Sequence, residues 1–365
     1  MASRLKPRTV ALIALLAGLA FGLWRLALAE WDPAGLAEIG TLYSQGDPNG
    51  SQGYDGQFAY YIAIDPNPDE VASKLDVPAY RYQRILYPLL ARGLALGMDE
   101  LVPWALFLLN LAAHALGTWA VAKWLVSREA SASLALVYGL WVGLISSVGL
   151  DLNEPLAFAL IAGAWWARRT DRYLLGAVLL TLSFFAKETG LIFWAAALAT
   201  DLLQKRWRQS VLWLALGVVV FLGWQAWLWV TFGRPGLGAG GAMATPFEWI
   251  PFMGLWRIGM VNLVALGLFG FIFGPTIVFP AVWGVIASTR DLFRKLWDAE
   301  TWALFLNTAV IAFLPFSTFR EPLGLVRLAS GMVLAVIYYA AQRDHQRTQN
   351  YSYFWIALLA LLIRS

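Results

Sequence analysis

The sequence predicts an all-α polytopic membrane protein, a single integral unit of about eleven transmembrane helices with one long loop after the first helix. Three observations carry this. Mean hydropathy is +0.61 and only 14% of residues are charged. Apolar runs of about 15 to 30 residues recur along nearly the whole chain, lengths matched to a bilayer core. The basic residues fall in alternate gaps between those runs. The net charge of +4 therefore reads as a topology signal and not as a nucleic-acid footprint, because the basic residues form no stripe or motif. With no cysteine, disulfides and thiolate metal sites are excluded.

Element by element, apolar segments predict spans at 9–29, 101–126, 130–149, 154–168, 172–187, 189–204, 209–232, 259–289, 301–317, 323–341 and 350–364. The first could be a signal peptide, since Arg4, Lys6 and Arg8 precede it and "LALAE" offers a cleavage site after Ala29. Its apolar stretch is long for that role, so it reads as a membrane helix. The spans at 154–168 and 172–187 are short, and "FGP" at 273–275 predicts a kink at Pro275 within the eighth.

With a cytoplasmic N-terminus, one face receives Arg4/Lys6/Arg8, Lys123/Arg128, Arg168/Arg169/Arg172, Lys205/Arg206/Arg208, Arg290/Arg294/Lys295 and Arg343/Arg347. That is sixteen of the 27 basic residues against seven of the 23 acids, as the positive-inside rule requires. The other face collects the loop 30–100, with eleven acids against four bases, and smaller loops carrying "DLNEP", "KET", "GRPGLGAGGAMATPFEW" and "FREP". Chemistry is expected in those loops.

In "GSQGYDGQFAYYIAIDP", Gly53 and Gly56 bracket Tyr54 and Asp55, so the backbone can turn sharply and bring the carboxylate close to a partner. Phe58, Tyr61 and Ile62 then make an apolar stripe suited to a helix lying on the membrane. Asp55 either caps that helix or does chemistry. Downstream, Arg81 and Arg84 share a helical face among Tyr80, Tyr82 and Tyr87. Arginines there can fork onto phosphate, or simply anchor at the headgroups with the tyrosines. "RILYPLLARGLALG" reads as a second interfacial helix.

At "DLNEP", Asn153 can cap and Pro155 fits a first turn, but capping does not require both Asp151 and Glu154 to be acids. Lys187 and Glu188 interrupt an apolar stretch at a tight hairpin, either as a mutual ion pair or as functional groups. Arg320 and Glu321 precede the tenth span. Arg327, inside that span, needs an anionic partner.

The motifs "YDGQFAYYIA", "YRYQRILYPLL", "NEPLAFAL" and "AKETGLI" resemble those of poorly characterised bacterial members of the GT-C superfold, integral membrane glycosyltransferases that use polyprenyl-phosphate-linked sugars. The likeness covers the first 200 residues or so, and fades to hydrophobicity beyond 230. It implies a GT-C-like layout: loop 30–100 with interfacial helices, a helical core at 101–232, and variable helices over 233–365. It further implies residence in the bacterial cytoplasmic membrane, with the N-terminus cytoplasmic and the active face outside.

By the same resemblance, Asp55 would be the general base on an acceptor hydroxyl of a glycan, lipid or protein, and attack at the anomeric carbon would be inverting. Arg81, Arg84, Lys187, Arg320 and Arg327 would hold the lipid phosphate, and Asp151, Glu154 and Glu188 would orient sugar or acceptor. Family members often carry paired first-loop acids, whereas Asp55 stands alone. Glu30 and Asp32 in "EWD" therefore compete as the base. The reading favours no metal. A divalent ion on Asp55 with Glu154 or Asp151 would be Mg²⁺ or Mn²⁺, given oxygen ligands. The alternatives are a non-catalytic GT-C-like subunit of a membrane complex and, less favoured, a transporter or flippase, for which mid-helix polar residues are few: Arg25, Asn110, His114 and Gln225.

Overall fold

The computed structural model describes residues 5–364, leaving Arg4 of the inner-face charges outside the described residues. Every regular element among them is helical. Five helices are long and apolar enough to cross a membrane: Pro7–Leu28, Asp99–Val126, Trp207–Phe232, Leu263–Phe293 and Pro322–Gln342. Three shorter apolar helices accompany them, Tyr173–Ala186, Gly190–Leu203 and Ala299–Ala312. Glu154–Arg169 packs against the helix Val102–Val126 at the centre.

Burial separates an inner set from an outer one. Val102–Val126 and Pro322–Gln342 are largely enclosed, whereas Trp207–Phe232 and Leu263–Phe293 expose Val230, Leu263, Phe271 and Phe279. Contiguous exposed apolar side chains on that scale mark a surface made for lipid or for another protein.

Several expected spans are corrected. The segment 130–149 is not one helix. It is a 3₁₀ turn at Ala132–Ala135, a single turn at Leu136–Gly139 and a short helix at Val142–Val148. The cause is packing: the Trp141 indole donates to the Val326 carbonyl (2.8 Å), and a Cβ on Gly143 would collide with that same carbonyl. The chain is bent to grip the neighbouring helix next to Arg327, and every residue of 142–148 is buried. Helix Ala299–Ala312 ends five residues before the expected boundary, and a separate turn follows at Phe316–Arg320. The last expected span is the helix Gln346–Ser352 continued as 3₁₀ over Tyr353–Arg364. The kink sought at Pro275 takes the form of a π-turn at Gly274–Val278, which absorbs the missing proline N–H without ending the helix.

The long loop folds onto the bundle. Its helix Gly56–Ile64 is buried on most sides. The stripe Phe58, Tyr61, Ile62 meets Val71, Leu75, Tyr82, Ile85 and Leu228. That stripe is thus covered by protein, not lipid. Helix Leu86–Leu94 differs, burying Tyr87, Pro88 and Ala91 while exposing Leu89, Leu90 and Leu94.

Charged side chains gather at two opposite ends of the helices. Glu154 opens the helix Glu154–Arg169 and Arg168 nearly closes it, a separation of about 20 Å at 1.5 Å per residue. At the Arg168 end, Arg168 forks onto Asp201 (both bonds 2.6 Å), and Arg343 joins Asp291 and Asp298. The other end holds the site.

Candidate functional site

An open cavity of about 570 Å³ lies where the 50–56 turn, the segment 76–84, the hairpin at 187–188, the glycine-rich loop 233–249 and the 317–328 segment converge. Its size is that of a small-molecule site. The floor is built around Asp55.

The backbone fixes Asp55 first. Tyr54 N–H donates to Glu38 O (2.9 Å), and Gln57 braces the turn through Gly40 N–H (3.1 Å) and Gln52 O (2.7 Å). Gly56 lies so close to the Leu150 carbonyl that no side chain fits there. Asp55 is at the N-cap position of the helix, yet its carboxylate makes no capping bond. Its Oδ1 accepts from Arg81 Nη1 and its Oδ2 from Arg327 Nη2, both at 2.9 Å. Burial alone would raise its pKa, but Arg81, Arg327 and then Arg84 overcome that and hold it well below the usual carboxylate range.

Each arginine is itself held. Arg81 forks onto Asp76 through Nε (2.7 Å) and Nη2 (2.8 Å), and stacks 4.0 Å over the Phe58 ring. Arg84 forks onto Glu188 (2.9 and 2.5 Å) and contacts the Tyr80 hydroxyl. Against burial, Arg84 and then Lys187 bring Glu188 down from 4.5 to about 2. Arg327 spends its whole fork: Nε on Glu154 (2.7 Å), Nη1 on the Tyr54 hydroxyl (2.8 Å) and Nη2 on Asp55. Lys187 donates to the same Glu154 oxygen at 2.5 Å. The Tyr54 hydroxyl donates in turn to Glu321 Oε1 (2.5 Å).

Most of the residues singled out in the sequence are therefore brought together: Arg81, Asp55, Arg327, Glu154 and Lys187 form one ionic chain, and the Arg84–Glu188 pair stands beside it on the same cavity. Arg320 stands exposed at the rim and makes no ion pair among the described residues. The Lys187–Glu188 pair is not formed, since each side chain reaches across to another element.

Asp151 is corrected. It is fully buried away from the cavity, both carboxylate oxygens lack a hydrogen-bond partner, and burial pushes its pKa well above the usual range. It does not line the cavity. Glu30 and Asp32 do not line the cavity either, and Asp32 caps the turn at Ala34 (3.0 Å). Asn153 ties Ala186 O (3.0 Å) to its own turn without capping. Asp55 and Glu154 both bond Arg327, Asp151 is sealed off, and no group of three candidate metal ligands occurs among the described residues.

Sequence reasoning missed Asp76 and Tyr54. Asp76 lies five residues before Arg81, a spacing that a helix start at Pro78 converts into a fork, and it also accepts Ala242 N–H (3.0 Å) from the glycine-rich loop. Leu237 N–H donates to Gln225 Oε1 (2.9 Å), so that loop is fastened at two points over one wall.

Chemically, five cations and four acids line the cavity. It can take an anion by exchange of carboxylates for phosphate oxygens, which match an arginine fork equally well. The fold and this cavity define a helical protein with an apolar surface and an anion-competent ionic site at one end of its helices. No protein family, curated protein or solved structure matches the chain.

Proposed function

We propose that the protein is an integral membrane glycosyltransferase of GT-C type. It moves a sugar from a polyprenyl-phosphate carrier to an acceptor hydroxyl at the extracytoplasmic face of a bacterial cytoplasmic membrane. In this reading the three shorter apolar helices cross beside the five long ones, the N-terminus is cytoplasmic, and the exposed Leu89, Leu90 and Leu94 lie against lipid.

The observation that carries the proposal is Asp55 suspended between Arg81 and Arg327 on the floor of an open cavity in a chain with an apolar exterior. The donor's phosphate engages Arg81, Arg84, Lys187, Arg327 and the uncommitted Arg320, which also stabilise the lipid phosphate as it leaves. The acceptor oxygen attacks the anomeric carbon in line, the bond to phosphate breaks with its electron pair on the phosphate, and configuration inverts. A carboxylate clamped by two guanidiniums holds protons weakly, so Asp55 serves first to hold Arg81 and Arg327 toward the donor phosphate. The open cavity favours this reading over a non-catalytic subunit, where the space would be filled. Arg25, Asn110, His114 and Gln225 bond to nearby groups, which speaks against a transport path.

The product analogue tests it. Polyprenyl phosphate at 100 times its Kd should stabilise the detergent-solubilised protein by about 2.7 kcal/mol. The neutral polyprenol should not. Loss of the phosphate effect in Arg84→Met supports the site, and equal stabilisation by both lipids contradicts it.

A further inference from the structure

Four carboxylates line the cavity and a fifth, Glu154, is buried behind Arg327; four of the five are tied to cations. Asp55 holds Arg81 and Arg327, Asp76 holds Arg81, Glu154 holds Lys187 and Arg327, and Glu188 holds Arg84. Glu321 is the exception. It makes no ion pair among the described residues, and its one side-chain bond is the one Tyr54 donates to Oε1.

Its second oxygen, Oε2, has no hydrogen-bond partner in the protein among the described residues. It lies beside Gly324, where a Cβ would come within 3.0 Å of it. Glu321, Tyr54 and Gly324 all line the cavity, and Glu321 is exposed on its watery side. Arg327 links this carboxylate to Asp55, since Nη1 donates to Tyr54 and Nη2 to Asp55. The two acids therefore flank one guanidinium, one clamped and the other open.

We infer that Glu321 is the general base that takes the acceptor's proton, while Asp55 keeps Arg81 and Arg327 in place for the donor phosphate. As the acceptor oxygen bonds to the anomeric carbon, its proton moves to Glu321 Oε2. The electron pair of the breaking bond leaves with the lipid phosphate. Tyr54 holds Oε1 and so aims Oε2. This inference rests on the glycosyltransferase reading and names the base and the entry side of its acceptor: a hydroxylated, water-borne group arriving past Arg320.

The test uses full-length protein in proteoliposomes with a panel of polyprenyl-phosphate sugars. Glu321→Gln should unfold at the wild-type temperature, keep the donor KM, and lose about 100-fold or more in kcat, the usual contribution of a general base. In Glu321→Ala, added formate should restore part of kcat, which a merely structural role would not allow. A Glu321→Gln rate within about threefold of wild type would overturn the inference and leave the glycosyltransferase reading intact, on the scale a base commands. So would a raised KM at unchanged kcat, or failure of formate rescue. Wild-type protein inert with every donor would remove both.

Discussion

Replacing Arg327 by glutamine removes the one side chain that joins the two halves of the ionic network. The guanidinium is almost wholly buried and makes three bonds, to Glu154 (2.7 Å), Tyr54 (2.8 Å) and Asp55 (2.9 Å). Breaking a buried pair by deleting one partner costs about 3–5 kcal/mol, because the remaining charge stays desolvated. The two orphaned acids differ. Asp55 keeps Arg81 and its side chain is 33% exposed, so cavity water blunts its loss. Glu154 is 1% exposed and its Oε2 has no hydrogen-bond partner, leaving Lys187 as its sole cation. The cost therefore falls near the lower end, about 3 kcal/mol. Arg327→Gln with Glu154→Gln should cost less than the sum of the two single changes, since each single change already breaks the Arg327–Glu154 pair. Thermal unfolding in detergent measures all three variants. Additive losses, or an Arg327→Gln protein as stable as wild type, would refute the network's role.

Acid sensitivity follows from Glu188. Its folded pKa is depressed from 4.5 to about 2, so its contribution is present above pH 4.5 and is lost as pH falls toward 2. Glu188→Gln should flatten the stability profile across that window, and an unchanged slope would count against the Arg84 fork. Asp151 has the opposite sign: its pKa is raised, so it favours the fold below its unfolded value near 3.8 and costs stability as pH rises above it. Asp151→Asn should unfold at or above the wild-type temperature at neutral pH, since it removes that cost and tolerates the left-handed backbone there (φ 49°). A large drop in unfolding temperature would show that the carboxylate has a partner.

The fold class was legible because apolar run length is a local property, and the lengths of the membrane-scale helices follow from it. The break at Leu140–Trp141 was not, since it depends on the Val326 carbonyl 185 residues away from Trp141. In the site, the need of Arg327 for an anion could be read from a charge inside an apolar helix. Its choice of Glu154 and Asp55, 173 and 272 residues distant, could not. Lys187 and Glu188 were recognised as chemistry-bearing, but adjacency suggested a pair that the hairpin prevents by sending one side chain to Glu154 and the other to Arg84. The burial of Asp151 was not legible for the same reason. It stands beside a helix start in a loop, and only packing seals it off.

The most direct measurement is transfer of radiolabelled sugar from polyprenyl-phosphate donors to acceptors in membranes holding equal amounts of wild type, Asp55→Asn or no protein. The account predicts lipid-dependent transfer by wild type and its collapse in Asp55→Asn, which loses the carboxylate that holds Arg81 and Arg327. Transfer by Asp55→Asn equal to wild type, or none by wild type above the protein-free membranes with any donor, would contradict it.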